Sequence, residues 1–264
     1  MDQYGGQEEF KIGKIFQFDG LRFAAAEIPL IREVFLRIVC NQHLEVVTAC
    51  AGHYLDELAV GFLRSEGYLE TRKDIESLQV STDPCLVHVV TKSAENDDHG
   101  EKKGEPLLFA GGGRGRDKRN TPINLSKINM LLPPQNILLW MEELVNRSVL
   151  HNVSHGTHCS ALADERGIIV SREDIGRHNT IDMIGGRMLL DDWSGADKIL
   201  LTTGRISSEM VQKVWILGIP VIITRSAPTS EALRLLEEAG ITLVGYVRNG
   251  QMNVYTHEER VDMR

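Results

Sequence analysis

The last third of the chain alternates short apolar runs with helical patterns, and this alternation restricts the fold more than any other feature. Four runs rich in Ile, Val and Leu are typical of strands buried on both faces, at 168–170, 198–203, 220–225 and 241–247. Three stretches with helical periodicity lie between them, at 178–190, 207–217 and 229–239. We therefore predict an α/β layer sandwich with a largely parallel sheet.

The N-terminal half carries a different pattern, in which strands dominate. Residues 27–47 alternate apolar and polar side chains and predict strands around a turn at Asn41-Gln42. Residues 54–66 place their apolar side chains on one helical face, and Gly67 suits the left-handed conformation that ends a helix. A further strand is predicted at 86–91 and a further helix at 135–150.

The stretch between these halves, residues 92–122, is polar, charged and glycine-rich, and we predict a mobile loop there. It contains FAGGGRGRDKRN at 109–120, a basic segment that either attracts an anionic ligand or acidic partner or is a solvated linker. The loop divides the predicted fold into an N-terminal extension (1–19), an α+β subdomain (20–91), the loop itself, and a C-terminal α/β domain (123–264).

Composition and charge exclude several classes of function. The formal net charge of -8 argues against a general nucleic-acid binder, although it leaves room for a local anion site. No apolar run approaches the roughly 20 residues that span a bilayer, and the first residues lack a signal-peptide core, so we expect a cytoplasmic protein without a membrane partner. The four cysteines (Cys40, Cys50, Cys85 and Cys159) form no CxxC pair and are expected to be free thiols.

An arginine recurs at three predicted strand-to-helix turns: SREDIGRHNT at 171–180, TTGRISSE at 202–209 and TRSAPTSE at 224–231. Ligands of open α/β sheets bind beyond the carboxyl ends of the strands, where helix N-termini favour anions. An arginine there adds a planar donor fork that matches a phosphate. The pattern predicts an anion pocket lined by Arg177, Arg205 and Arg225 for a phosphate-rich ligand such as a nucleotide. The alternative is that each arginine pairs with a local acid such as Asp174 or Glu209.

The segment HNVSHGTHCSAL, at 151–162, concentrates His155, His158 and Cys159. A zinc site is disfavoured because no fourth ligand follows at a typical spacing. A reactive Cys159 is favoured over a metal, since an adjacent histidine can lower a thiol pKa, but a buried histidine and a buried thiol remain the simpler alternative. Downstream, Asn179 is predicted to cap a helix, and His178 either contacts a ligand or packs at that turn.

Several segments together resemble a known family, the formate dehydrogenase accessory proteins (FdhD/NarQ). The segments that carry the resemblance are EDIGRHNTIDMIGG, HGTHCSAL, EIPLIREV, LDELAVGFLRSEGYL and most of the chain from LLTTGRISSE to NVYTH. The resemblance covers residues 20–257. It implies a three-layer α/β sandwich of the cytidine deaminase-like type, with a smaller N-terminal β-rich subdomain, in a cytoplasmic homodimer.

The resemblance also implies a function. Members of the family bind the molybdenum or tungsten bis-pyranopterin guanine dinucleotide cofactor, for which a GDP-like nucleotide is a surrogate. They sulfurate it with sulfur from a cysteine desulfurase, on behalf of a formate dehydrogenase apoenzyme. The positions assigned to the cofactor, with Arg225 added from the arginine turns, are Asp174, Gly176, Arg177, His178, Asn179, Thr203, Gly204, Arg205, Ser207, Arg225, Ser226, Ala227, Pro228, Tyr246, Val247, Arg248, Asn249, Gly250, Gln251, Met252 and Asn253.

The chain departs from the family at the sulfur-carrying step. The family keeps its sulfur-carrying cysteine in a loop whose counterpart here is FAGGGRGRDKRN, which has no cysteine. A persulfide needs a sulfur nucleophile, so we name Cys159, with His158 beside it, as the substitute catalytic pair. The alternative is a factor that binds and delivers the cofactor without sulfur transfer. A zinc hydrolase or deaminase is disfavoured, because the HxE element and the second cysteine of PCxxC are missing.

Overall fold

The computed structural model describes residues 9–41, 44–92, 107–109 and 124–264. The N-terminal half contains one helix and seven strands: β1 (Phe10–Phe18), β2 (Phe23–Ile31), β3 (Val34–Cys40), β4 (Leu44–Cys50), α1 (Leu55–Ser65), β5 (Ile75–Thr82), β6 (Cys85–Thr91) and β7 (Leu107–Phe109). The C-terminal half contains α2 (Pro134–Arg147), α3 (Val149–Ser154), β8 (His158–Asp164), β9 (Gly167–Asp174), α4 (Arg177–Leu190), β10 (Ile199–Thr202), α5 (Ser208–Ile216), β11 (Val221–Thr224), α6 (Ser230–Ala239), β12 (Thr242–Arg248) and β13 (Gln251–Thr256).

The C-terminal half is built on a six-stranded sheet with the order β13-β12-β11-β10-β8-β9. Strands β10, β11 and β12 are parallel, whereas β8, β9 and β13 join through antiparallel pairs. Because β9 is antiparallel to β8, and β8 is antiparallel to β10, the strands β9, β10, β11 and β12 all point the same way. Their carboxyl ends therefore lie at one edge of the sheet.

Helices cover both faces of this sheet and give three layers. One face packs against α2 through a core that includes Ile137, Leu144 and Leu201. The other face packs against α4, α5 and α6 through a larger core that includes Ile184 and Trp215. The α/β sandwich expected from the sequence is confirmed, and the helices end within a few residues of their predicted bounds.

The prediction of a largely parallel sheet is wrong, because only two of the five neighbouring strand pairs in this sheet are parallel. Two hairpins account for the difference. One joins β8 to β9, and the other joins β12 to β13 through Asn249 and Gly250, whose φ angles are 54° and 72°. Asn-Gly between apolar strands is a strong signal for a two-residue hairpin, and it was present in the sequence.

The N-terminal half forms a five-stranded sheet with the order β5-β6-β3-β4-β7. Helix α1 covers one face of this sheet and also packs against Met183 and Leu189 of α4. Gly67 has φ 81°, as predicted for the residue after α1. Of the predicted loop at 92–122, residues 107–109 form β7, parallel to β4, and 93–106 and 110–122 lie outside the described residues, as does most of FAGGGRGRDKRN.

The contact between α1 and α4 joins the two halves backbone to backbone. A methyl group on Gly61 would overlap the main-chain carbonyl of Asp182, and one on Gly186 would overlap that of Glu57. Buried ion pairs flank the crossing: the Lys213 ammonium group lies 2.7 Å from the Asp182 carboxylate, and Arg172 binds Glu57. Removing one partner of such a pair typically lowers the free energy of unfolding by about 3–5 kcal/mol, because it leaves an unpaired buried charge.

The close crossing predicts that Gly186→Ala destabilises the protein by at least about 1–3 kcal/mol, because the added methyl group meets backbone atoms that cannot move alone. The neighbouring Gly185→Ala is the matched control, since its methyl group would meet only the side chain of Leu217, at 3.0 Å. Urea unfolding of both variants measures the difference. Equal free energies of unfolding for the two variants would contradict the prediction.

Candidate functional site

The three arginine turns of the sequence meet at the edge where the parallel strands end. We use "strand-end site" for residues 174–179, 203–209 and 225–229, the hairpin turn 246–251, and His158. His158 belongs there because β8 runs against its neighbours and begins at this edge, where His158 pairs with Asp174. The structure thus brings together segments that are separated by up to about ninety residues in the sequence, at the place where ligands bind in open α/β sheets.

The loops of the strand-end site are tied to one another by backbone hydrogen bonds beyond the sheet. The amide of Ile206 donates to Ala227 O at 3.1 Å, and the amide of Thr229 donates to Ile206 O at 2.9 Å. The amide of Tyr246 donates to Ser226 O at 3.0 Å. Pro228 bridges to Ile206 in the same strip. These bonds hold three successive loops in a fixed relation, which is a precondition for a preorganised binding site.

Asp174 and Asn179 serve the joint between the two halves. The buried Asp174 carboxylate accepts hydrogen bonds from the amides of Ala51 and Gly176, at 2.8 and 2.9 Å, and from Asn179 Nδ2, at 2.7 Å. Asn179 Nδ2 also donates to Ala49 O, at 2.8 Å. The predicted capping role of Asn179 is wrong, since the N-cap of α4 is Gly176 and the Asn179 side chain bonds elsewhere.

Burial raises the pKa of Asp174 to about 6, although its three hydrogen bonds favour the ionised form. The Asp174 carboxylate is therefore occupied by the amides of Ala51 and Gly176 and by Asn179, and it does not pair with an arginine.

The three arginines do not pair with the local acids that were the alternative reading. In the described parts of the chain, Arg177, Arg205 and Arg225 form no salt bridge. Arg205 is exposed, and the other two are half-buried. Gly204 makes room for one of them, because a methyl group at Gly204 would lie 3.1 Å from Arg177 Cβ. Among the described residues, therefore, no carboxylate forms an ion pair with the three guanidinium groups at this edge.

Three buried polar atoms of the strand-end site have no hydrogen-bond partner among the residues that the structure describes: Arg177 Nε, His178 Nε2 and Ser207 Oγ. Ser207 occupies the N-cap of α5 without donating or accepting a capping bond. His178 Nε2 lies 3.2 Å from the Glu209 carboxylate, out of hydrogen-bond alignment. An unsatisfied buried polar group costs about 1–3 kcal/mol, so three of them in one place indicate a site built for a ligand.

The histidines of the site are held neutral. Burial, together with the charges of Arg177 and Lys213, lowers the pKa of His178 to about 4. The pKa of His158 is lowered first by burial and then by Arg177, His151 and Arg205. These shifts show that the charged groups of separate loops act on the same histidines. At neutral pH, the imidazoles offer hydrogen bonds without adding charge.

The segment 246–253, predicted to bind the cofactor, forms the hairpin between β12 and β13. Tyr246, Arg248, Asn249, Gly250, Gln251 and Asn253 are exposed, and the Arg248 guanidinium lies 4.7 Å from the centre of the Tyr246 ring. Val247 is buried in the core beside α2, and Met252 packs against the same core. The structure therefore gives the side chains of Val247 and Met252 a packing role and leaves the others open to a ligand.

The four thiols are buried or half-buried, and none of them belongs to the strand-end site. Cys159 is 1% exposed, and burial raises its pKa to about 12. Cys40 and Cys50 are also buried, and Cys85 is half-buried with a pKa raised by burial. A neutral, inaccessible thiol is neither nucleophile nor persulfide carrier, which argues against Cys159 as a substitute sulfur carrier in this conformation. The amide of Thr203 donates to Cys159 O at 2.9 Å, which extends the pairing of β8 with β10 by one residue.

Comparison with known proteins identifies the family of this chain. The FdhD/NarQ family model matches residues 31–262. The chain belongs to the FdhD/NarQ family. Two curated relatives, each named sulfur carrier protein FdhD, come from Bacillus subtilis (31% identical, covering 94% of this chain and 95% of the relative) and Listeria monocytogenes (34% identical, covering 94% and 97%). A crystal structure of a putative formate dehydrogenase accessory protein from Desulfotalea psychrophila superposes with a TM-score of 0.77 at 25% identity, covering 96% of this chain and all of that chain.

Membership of the FdhD/NarQ family leaves several expectations as predictions. These are the cofactor-binding residues, the cofactor itself, the cysteine desulfurase partner, the homodimer and the cytoplasmic location. Among the described residues, no helix is long and apolar enough to cross a membrane. The same part of the chain holds no group of three His, Cys, Asp or Glu side chains arranged for a metal.

From the sequence, Glu209 was expected only as a possible ion-pair partner for an arginine. The structure places it against His178, in the first turn of α5. The sequence indicated a functional position for Glu209 only through its place two residues after Ser207, in the first turn of α5, where its side chain lies near the loops at that end of the helix. The contact could not be read from the sequence, since His178 comes from a different loop.

The lowered pKa of His178 predicts a specific pH dependence of stability. The pKa in the folded protein, about 4, is below the unfolded value near 6.5, so the contribution of His178 is fully present above about pH 6.5 and is lost as the pH falls toward 4. We expect the free energy of unfolding of His178→Gln to change less over this range than that of the wild type. Urea unfolding at several pH values measures this, with His155→Gln as control because His155 is exposed. Parallel pH profiles for wild type and His178→Gln would contradict the prediction.

Proposed function

We propose that this chain is an accessory protein for formate dehydrogenase maturation, which binds the molybdenum or tungsten bis-pyranopterin guanine dinucleotide cofactor at the strand-end site. The observation that carries the proposal is the convergence of three unpartnered buried polar atoms with three unpaired arginines. The names of the relatives, sulfur carrier protein FdhD and putative formate dehydrogenase accessory protein, support the choice of client.

The chemistry of the site fits the phosphate-rich part of this cofactor. Arginine forks bind phosphate oxygens through paired, charge-assisted hydrogen bonds. The N-terminus of α5 adds free amides, and its N-cap Ser207 keeps an unused hydroxyl. Neutral His178 supplies a further hydrogen-bonding atom at the same place. A ligand with several phosphates satisfies these groups together, whereas a small neutral ligand leaves the arginines without counter-charge.

GDP serves as a surrogate for one guanine nucleotide arm, and its binding tests the proposal. We expect Arg205→Ala to weaken GDP binding by about ten- to a hundredfold, since a charge-assisted hydrogen bond contributes about 1.5–3 kcal/mol. The matched control is Arg166→Ala, because Arg166 is an exposed arginine in the β8–β9 turn, where it pairs with Asp164 at 2.8 Å. Isothermal titration calorimetry measures both. If GDP fails to bind the wild type, or binds the two variants equally, the assignment of the site fails.

The sulfur step separates two forms of this function. In one form, the chain carries sulfur, as the name of its curated relatives says; it receives the sulfur from a cysteine desulfurase and passes it to the bound cofactor. In the other form, it holds and delivers the cofactor while sulfur reaches the cofactor by another route. The burial and raised pKa of Cys159, with no cysteine in FAGGGRGRDKRN, favour delivery.

The delivery form predicts that Cys159→Ala keeps the wild-type ability to activate formate dehydrogenase in a strain that lacks its own accessory protein. It also predicts that radiolabelled sulfur from a cysteine desulfurase does not accumulate on the purified chain. Cys85→Ala is the control, because Cys85 is the most accessible of the four cysteines. Loss of activation in Cys159→Ala alone, with an unchanged circular dichroism spectrum, would instead assign sulfur transfer to Cys159.

A further inference from the structure

Four buried hydroxyl groups lie where the strands end, next to the loops of the strand-end site. Ser160 of β8, Thr202 of β10 and Thr224 of β11 are partners in the sheet register, so their side chains lie next to one another on one face of the sheet. Thr180 of α4 packs against that face, with its hydroxyl 2.7 Å from Ser160 Oγ. All four residues are fully buried. We call them the hydroxyl row.

Three members of the hydroxyl row connect two of the arginine loops. Thr180 Oγ1 donates a hydrogen bond to Arg177 O at 2.8 Å. Ser160 Oγ lies 2.7 Å from Thr180 Oγ1 and 2.9 Å from Thr202 Oγ1. Thr202 Oγ1 in turn accepts the amide of Gly204 at 3.2 Å. A chain of hydrogen bonds therefore runs from the main chain of Arg177 to the main chain of the second arginine loop.

The fourth member, Thr224, extends this chain to the third loop. Its hydroxyl donates to Gly204 O at 2.7 Å and accepts the amide of Ser226 at 3.1 Å. Gly204 directly precedes Arg205 in the sequence, and Ser226 directly follows Arg225. The main chain at or beside all three arginines is thus held by hydroxyl groups that belong to one buried network.

We propose that the hydroxyl row fixes the relative positions of the three arginine loops, and that the affinity of the strand-end site for a ligand with linked phosphates depends on this spacing. Its members are positioning residues, because they act on the arginines through the main chain and are themselves buried. This role rests on the proposed function, since it requires that the arginines bind the phosphates of one ligand.

Stability alone does not explain why hydroxyl groups occupy these positions. The other residues of β10 and β11 are Ile, Leu and Val, so the interior around the row is apolar. Hydroxyls that bond to each other can be replaced together by apolar groups of the same shape with little loss of stability. A satisfied buried network instead specifies one arrangement of the groups that it bonds. Binding sites need this, because their side chains must be held to within about 0.5 Å.

A ligand that contacts two loops is sensitive to the distance between them. A charge-assisted hydrogen bond to phosphate weakens when the arginine moves out of line with the oxygen that it binds. GDP carries two linked phosphates, whereas GMP carries one and spans less of the site. We therefore expect damage to the hydroxyl row to reduce the preference for GDP over GMP, in addition to the affinity for GDP.

Thr224→Val removes one hydroxyl of the row at nearly constant volume. We expect it to weaken GDP binding at least about tenfold, the lower end of the 10–100-fold loss that follows when residues orienting the ligands of a metal site are mutated. We also expect the ratio of GDP to GMP affinity to fall. Thr224→Ser retains the hydroxyl and is expected to keep the wild-type affinity and ratio. Isothermal titration calorimetry with each nucleotide measures these quantities.

Thr256→Val is the matched control. The Thr256 hydroxyl accepts the amide of Leu243 at 3.0 Å and donates to Ile241 O at 2.8 Å, which is the bonding pattern of Thr224 at the opposite end of the sheet. We expect urea unfolding to show a similar loss of stability in the two variants, whereas only Thr224→Val weakens GDP binding. Equal GDP affinities in the two variants, or weaker binding with an unchanged ratio of GDP to GMP affinity, would overturn the inference.

A second variant covers the case in which Thr224→Val does not fold. Ser160→Ala removes a single oxygen from the middle of the row, and we expect it to lower the GDP affinity and the ratio in the same direction. If the wild type binds GDP and Arg205→Ala weakens that binding, but the row variants that fold bind GDP as the wild type does, the positioning role fails and the proposed function stands. If the wild type does not bind GDP, both fail.

Discussion

Helices α1 and α4 touch at their backbones, and the arrangement of both halves depends on that contact. It requires glycine at Gly61 and Gly186, where no side chain fits. The crossing sets β4 close enough to β9 for Asp174 to accept the amide of Ala51 and for Asn179 to reach Ala49. The start of α4, and with it Arg177 and His178, is thereby positioned from both sides. The strand-end site belongs to the C-terminal half, but its geometry depends on the N-terminal one.

The sequence predicted the features that follow from periodicity within one segment. Helices α1, α4, α5 and α6 and the buried strands between them are each encoded by local patterns, and so is the layer architecture. The direction of the strands was predicted less well, because β8 and β13 were not recognised as strands, and each pairs antiparallel with its neighbour in a hairpin. Strand β1 was assigned to an N-terminal extension, because most of its side chains are exposed and its sequence shows no core-facing pattern.

The strand-end site could be predicted only at the level of its loops. Arg177, Arg205 and Arg225 were recognisable because each follows a strand and precedes a helix. The functions of their neighbours depend on partners distant in sequence: the Asn179 side chain donates to Ala49 O, and the side chains of Val247 and Cys159 pack in the core beside α2. No spacing rule distinguishes a thiol that faces a ligand from one that faces a helix. The face on which each β8 side chain lies depends on how β8 pairs with β9 and β10, and this pairing cannot be read from residue spacing.

The burial of the thiols affects how readily oxidants and electrophiles modify the cysteines of this chain. Peroxides and electrophiles attack exposed thiolates, whereas protonated thiols inside a packed core react slowly. Cys40, Cys50 and Cys159 are buried, and burial raises the pKa of Cys50, of Cys159 and of the half-buried Cys85. The strand-end site itself contains no cysteine, so oxidants that modify exposed thiols leave its side chains unchanged.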